Sequence, residues 1–333
     1  MGSEEDAERF DEVLRGPTNL TGAINTAKYQ TQFSIQPGNE WADRGYDAQN
    51  VWYESNGAAI TSLKPKATLA ELTTDGAQTD SEVAVESPSL VYRPGAEISA
   101  SAGVFVDEMP TGDAYYEVRY GREPRTIVDP FTGESIDVGK EYAGLRIVDA
   151  PDASERTHDL QFVVGTDPEG DGTVTENVVP ITAGDWEAEE YITTFEDVPK
   201  AEVYGKDPLN GGGPSNIQFD ARRGYTMGVE IGWYAPTSMV PYLVETVSQA
   251  GRYKQRRHPI LIYNPIEGPA IQRPNQPVRV VADNGTSGQD LSARLGGRAG
   301  AYNGDVGISK SPVGHKAYNQ DVPGAVSTTG TQG

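Results

Sequence analysis

Between residues 222 and 295 the apolar side chains recur every second position. Tyr225, Met227, Val229 and Ile231 alternate with Thr226, Gly228, Glu230 and Gly232. That period of two puts one face of an extended strand in a core and the other outside it. Pro236 interrupts, and a second strand is expected over residues 239–245. The basic run 252–257 follows, then a third strand over 260–263. Asn264-Pro265 and Arg273-Pro274 are turn punctuation. Val278, Val280 and Ala282 make a fourth strand, and Asn284-Gly285 turns it toward a fifth over 291–295. Five short strands joined by turns form about half of an antiparallel sandwich.

The rest of the chain repeats the pattern. Tyr29, Thr31, Phe33 and Ile35 alternate with polar residues. Strands are expected near 58–63, 67–72, 82–85, 90–92, 97–106, 115–119, 142–148, 160–165 and 174–179, most of them separated by Pro, Gly, Asp or Ser. Residues 122–140 are polar, hold two prolines and read as a loop. The expectation is an all-β chain: an antiparallel β-sandwich or jelly-roll-like domain over residues 26–300. A break between sub-sheets or subdomains falls near 182–215. The aromatic cluster Trp41, Tyr46, Trp52 and Tyr53 either covers one end of the sandwich or stacks on sugars.

Two terminal segments differ. Residues 3–15 carry the helix signal: Ser3 caps, acids fill the first turn, and Ala7, Phe10, Val13 and Leu14 share a face. Gly16-Pro17 stops it, so residues 1–25 form a short helical arm. Residues 301–333 are polar and Gly-rich and cannot bury enough surface to order themselves. Arms of this kind become ordered when a neighbouring subunit holds them, which points to a homo-oligomer.

Charge narrows the function. The net charge is −22, from 49 acidic and 27 basic residues, with 18 Arg against 9 Lys. Excess carboxylate with scarce Lys keeps a surface solvated in concentrated salt and reads as a halophile's composition. It argues against nucleic acid, whose phosphates need a basic face. The charge is also unevenly placed. Residues 1–12 hold six acids and one Arg, whereas residues 252–298 hold eight Lys or Arg and three acids. Phe10, Val13 and Leu14 of the arm, and Arg252, Lys254, Arg256 and Arg257 of the basic run, are therefore the candidate interface residues. No apolar run is long enough to span a membrane, and the acidic start of the chain shows no secretory signal. Cysteine is absent, which excludes disulfides and thiolate metal sites.

Catalytic chemistry is poorly represented. The three histidines, His158, His258 and His315, lie far apart and in no metal-binding spacing. There is no nucleophile elbow and no cysteine nucleophile. Asp167, Glu169, Asp171 and Thr173 place oxygens at alternate positions and resemble the start of a calcium loop. Val178 stands where the closing bidentate Glu belongs, and a polar hairpin turn accounts for the same residues. Calcium or a similar cation is the one cofactor these residues suggest. Asn19-Leu-Thr21 and Asn284-Gly-Thr286 match the N-glycosylation pattern.

The order of segments resembles that of structural proteins of tailed viruses and phages. Leu90-Val-Tyr-Arg-Pro-Gly95 is followed by a Ser/Ala-rich strand over 98–105. A Gly-Tyr strand then runs from Gly224 to Trp233. After it come Tyr242-Leu-Val-Glu245, the Gly-aromatic-basic-His segment 251–258, and an Asn-Pro turn with a final strand pair over 271–295. Long acidic insertions near 122–140 and 182–214 depart from that pattern. The resemblance implies a virion component, and with the acidic composition a tailed virus of haloarchaea. The expected role is non-enzymatic: a vertex turret or spike, or a tail tip, on the particle exterior. It would assemble as a pentamer in a turret, or a trimer or hexamer in a tail, contacting other virion proteins and a host-surface glycan or protein. The alternatives are a tailspike-type enzyme degrading surface polysaccharide and a halophilic cell-surface adhesion module.

Overall fold

The computed structural model describes residues 31–33, 46–47, 50–62, 70–87, 89–90, 97–122, 125–128, 132–150, 158–167, 174–182, 191–193, 201–205, 207–232, 238–249, 252–265, 271, 273 and 275–303. Twenty-one strands occur among them. In chain order they are β1 (Thr31–Phe33), β2 (Tyr46–Asp47), β3 (Asn50–Glu54), β4 (Ala59–Ser62), β5 (Ala70–Thr73), β6 (Glu82–Glu86), β7 (Glu97–Val106), β8 (Tyr115–Arg122), β9 (Arg125–Val128), β10 (Ser135–Val138), β11 (Glu141–Asp149), β12 (His158–Thr166), β13 (Thr175–Pro180), β14 (Tyr191–Thr193), β15 (Ala201–Tyr204), β16 (Tyr225–Ile231), β17 (Met239–Gln249), β18 (Arg252–Pro259), β19 (Ile262–Pro265), β20 (Val278–Asp283) and β21 (Ser292–Asn303). The helical element among the described residues is one 3-10 turn, Ala221–Arg223, capped by the Asp220 side chain. The expected helical arm and Gly-rich tail lie outside the described residues.

Two sheets face each other. The larger runs β14-β15-β19-β17-β16-β7-β21-β5-β4, with β1 added to β21 and β18 to β17; the smaller runs β13-β12-β11-β8-β20-β6-β3-β2. Every neighbouring pair in both is antiparallel. The chain passes between sheets repeatedly: β6 and β8 lie in the smaller, β7 between them in the larger, and β20 and β21 part company in the same way. The fold is therefore an antiparallel β-sandwich of jelly-roll character, as the alternation predicts. Residues 201–231 join the same core as the rest.

One face of each sheet builds that core. Ile98, Ala100, Ala102 and Val104 from β7 and Met227, Val229 and Ile231 from β16 meet Tyr116, Val118 and Tyr120 from β8, Leu145 and Ile147 from β11, and Phe162 from β12. Each Val, Ile, Leu, Met or Phe side chain among them, fully withdrawn from water, contributes roughly 2 kcal/mol.

Two segments differ from the sequence expectation. The basic run 252–257 is no connection: it is strand β18, paired with β17 from Tyr242↔Pro259 to Gln249↔Arg252. Residues 122–140 hold a hairpin, β9 with β10. In β18 charged and polar residues fill nearly every position, so hydrophobic alternation is silent; in the hairpin each strand has only four residues, Arg125–Val128 and Ser135–Val138, too short a run to stand out among the flanking prolines and glycines.

Candidate functional site

The outer face of the larger sheet carries the site. With Ile98 and Ala100 inside, Glu97, Ser99 and Ser101 of β7 point outward. With Val229 and Ile231 inside, Gly228 and Glu230 do the same. Register sets Gly228 opposite Ser101 on one side and Tyr242 on the other. A Cβ at Gly228 would lie 2.6 Å from Tyr242 Cζ and 2.7 Å from Ser101 Cβ. The Tyr242 ring therefore lies across the glycine. Its hydroxyl meets Ser99 Oγ at 2.6 Å.

Arg257 of β18 completes the stack. Its guanidinium carbon sits 3.8 Å from the Tyr242 ring centroid, and its Nη2 donates to the Glu230 carboxylate. Glu97 stands beside Glu230, close enough for a hydrogen bond between the two side chains. Lost hydration, then the charge of Glu230, hold the Glu97 carboxyl above the usual carboxylate range, and Arg257 draws it part of the way back. Two carboxylates and one guanidinium thus line a hollow of about 160 Å³ with Ser238, Val240 and Pro259.

This arrangement can hold a proton and can accept or donate hydrogen bonds at its mouth.

The outer face of the smaller sheet carries a second charged array. Arg279 lies 2.7 Å from Glu82 and 3.4 Å from Glu86. Glu117 lies 3.5 Å from Arg119 and 2.7 Å from Arg146, and Arg146 reaches Glu176 at 2.7 Å. Arg119 stacks on Tyr142 at 4.6 Å and Arg146 on Tyr115 at 4.4 Å. Glu117, Arg119 and Arg279 are almost fully buried. Burial of Glu176 opposes its ionisation, but the Arg146 hydrogen bond and charge and the Tyr142 hydroxyl outweigh it, and the carboxyl sits below the usual range. These groups come from five strands, β6, β20, β8, β11 and β13, and pair with one another across the sheet.

The sequence-predicted residues separate in space. Arg257 is half-buried and committed to Glu230 and Tyr242, whereas Arg256 is exposed. Arg252 and Lys254 hold register positions in β18 opposite Gln249 and Val247. Phe10, Val13 and Leu14 lie outside the described residues, as do Glu169, Asp171, Thr173 and Asn19. Asp167 is buried after β12, its N–H bonded to the Lys140 carbonyl. Thr166 pairs with Thr175, so the connection between them closes a hairpin. Among the described residues no group of three or more His, Cys, Asp or Glu is placed to hold a metal. No described helix is long and apolar enough to cross a membrane.

Asn284 of the second sequon is fully buried. Its Oδ1 accepts from Ser81 N–H, and its Nδ2 donates to the carbonyls of Asp75, Gln78 and Gln289. One side chain ties the β5–β6 loop to the β20–β21 loop, and no part of it faces solvent.

Glu97, Glu230 and Tyr242 were not singled out from the sequence. A signal exists: Ser99, Ser101 and Gly103 share the outward parity of β7, and Gly228 has the outward parity of β16. Small residues on the outward parity of adjacent strands leave room for a large side chain to lie flat.

No protein-family model matches the chain, and no curated protein matches it. Solved structures match the chain at low identity and low TM-score. A legume lectin-like domain from Entamoeba histolytica is 14% identical over 81% of this chain and 95% of its own, with a TM-score of 0.38. A beta-porphyranase from Bacteroides plebeius is 12% identical over 91% and 98%, TM-score 0.37. The CBM2 module of an evolved Dit from Lactobacillus casei phage J-1 is 10% identical over 89% and 95%, TM-score 0.35. Similarity at this level fixes neither ligand nor activity.

Proposed function

We propose that this chain is a non-catalytic structural protein of a virus particle's exterior, a turret, spike or tail-tip component that associates with copies of itself and contacts a host surface. The observation that carries the non-catalytic part is the contact between Glu97 and Glu230 beside Arg257. Arg257 ties up Glu230 as an ion pair, which holds that carboxylate out of acid–base work. The segment order resembling tailed-virus structural proteins supports the particle assignment, and the excess of surface carboxylate supports a saline setting.

The test is quantitative mass spectrometry of purified particles. The chain should appear at a fixed stoichiometry, in multiples of five for a vertex turret or of three or six for a tail. Recovery from the cell envelope alone would overturn the assignment in favour of an adhesion module. Incubation with host envelope glycans should release no oligosaccharide.

A second reading concerns how the surface is contacted. Ser238, Glu97 and Glu230 surround a hollow of about 160 Å³ with hydrogen-bonding oxygens, a lining that suits the hydroxyls of a terminal sugar. Glycan-array binding that is lost in Glu230→Gln would support it; unchanged binding would remove it.

A further inference from the structure

Strand β17 outruns its neighbour. β16 pairs with it only as far as Thr226↔Val244, whereas β18 continues to Gln249↔Arg252. Residues 245–249 and 252–256 therefore form a two-stranded ribbon past the edge of β16. Its five residue pairs span about 17 Å at 3.4 Å per residue. Among the described residues no strand pairs with the other edge of β18, which leaves a row of backbone donors and acceptors open.

The ribbon is basic in a chain of net charge −22. Its returning strand carries Arg252, Lys254 and Arg256. Its one acid, Glu245, stands opposite Arg256 and 3.6 Å from His258 Nε2. Arg257 belongs to the hollow and is neutralised there. The densest acidic run in the sequence is residues 4–12, with Glu4, Glu5, Asp6, Glu8, Asp11 and Glu12. The described chain begins at Thr31, paired to Gly300 at the edge of β21. The residues from 12 to 31 can span up to about 65 Å, enough to reach a neighbouring subunit.

We infer that the open edge of the β17–β18 ribbon receives the acidic N-terminal segment, residues 4–12, of a second copy of this chain. This rests on the self-association proposed above. Charge complementarity selects the occupant, and an exchanged terminal arm is an economical route to closed symmetric assembly.

Full-length charge-swap variants test it by analytical ultracentrifugation at low and high salt. One variant reverses the ribbon (Arg252→Glu, Lys254→Glu, Arg256→Glu); another reverses the arm (Glu4→Lys, Glu5→Lys, Glu8→Lys). Each alone should self-associate at least tenfold more weakly than wild type, while an equimolar mixture should regain assembly, because each copy then offers what the other lacks. Circular dichroism and the urea midpoint of each variant, unchanged from wild type, separate loss of the contact from loss of the fold. Undiminished association of either variant overturns the contact. So does a mixture that stays dissociated while the combined six-fold variant recovers, which would place the arm on its own subunit. A wild-type chain that is monomeric throughout removes the self-association reading itself.

Discussion

Arg257 binds Glu230 and lies flat on Tyr242, so a single side chain both neutralises the larger sheet's outer carboxylate and caps the aromatic ring beneath it. The interaction needs a planar cation. Arg257→Lys keeps the charge but loses the stack and the directed N–H, and Arg257→Ala leaves Glu230 facing Glu97 with no counter-charge. Arg257→Ala should lower unfolding free energy by about 2 kcal/mol, read from urea titration, and Arg257→Lys by about half as much. Glu230→Gln in the Arg257→Ala background should recover part of the loss.

The pH dependence has two limbs. Glu97, Glu86 and Asp283 titrate above ordinary carboxylates, chiefly because their surroundings deprive the ionised form of water. With folded values above unfolded ones, their contribution is complete below about pH 4 and is lost as pH rises through the folded values. Glu176 and Asp220 titrate below the ordinary range; burial opposes this, but Arg146 and Arg222 respectively prevail. Their contribution is present above about pH 4 and is lost as pH falls through the folded values. The urea midpoint should therefore rise as pH falls from neutrality through the raised values of Glu97, Glu86 and Asp283, and fall at stronger acid. Glu97→Gln should flatten the rise, and Glu176→Gln the fall. A midpoint declining steadily from neutrality would contradict this account.

Much of this architecture was legible in the residues, and the reason is particular. Where β16 and β20 alternate apolar with polar, one face must go inside, and the faces of Met227, Val229 and Val280 follow directly. Strand order does not follow: β21 pairs with β7 and β5, partners remote in sequence, and only tertiary packing chooses them. The basic strand β18 was hidden because Arg, Lys, Gln and His mask the period of two. The hollow was hidden for a related reason. Its residues, Glu97, Glu230 and Arg257, come from three separate strands, and no spacing within any one of them signals the cluster.

Gly228 holds the Tyr242 ring by its lack of a side chain. Gly228→Ala would place a methyl 2.6 Å from both the Ala100 carbonyl oxygen and Tyr242 Cζ. The ring must lift, losing its bond to Ser99 and its contact with Arg257. A cost of about 1 to 3 kcal/mol is expected from such overpacking. Near-ultraviolet circular dichroism should report the altered tyrosine environment; an unchanged spectrum and stability would refute the stack.

Asn284 should carry no glycan. Its amide is spent on four loop contacts inside the fold, so expression in a glycosylating host should leave the peptide containing it unmodified by mass. Asn284→Ala leaves the Ser81 N–H and three carbonyls short of partners and should cost about 2 to 4 kcal/mol. Its first visible effect should be faster hydrogen exchange in residues 74–81 and 284–290.

The buried ion pairs of the smaller sheet also act as a check on how the chain is threaded. Along β8, Glu117 and Arg119 point outward between Tyr116, Val118 and Tyr120, which point in. If that strand slipped by one residue, a carboxylate and a guanidinium would enter the core while two tyrosines and a valine faced out. Apolar residues on both faces would make such a slip cheap. Here each wrong register strands charges away from Arg146, Glu176 and the Arg279 pair, a cost of several kcal/mol. The salt bridges thus do less to strengthen the correct sheet than to make the incorrect ones unreachable.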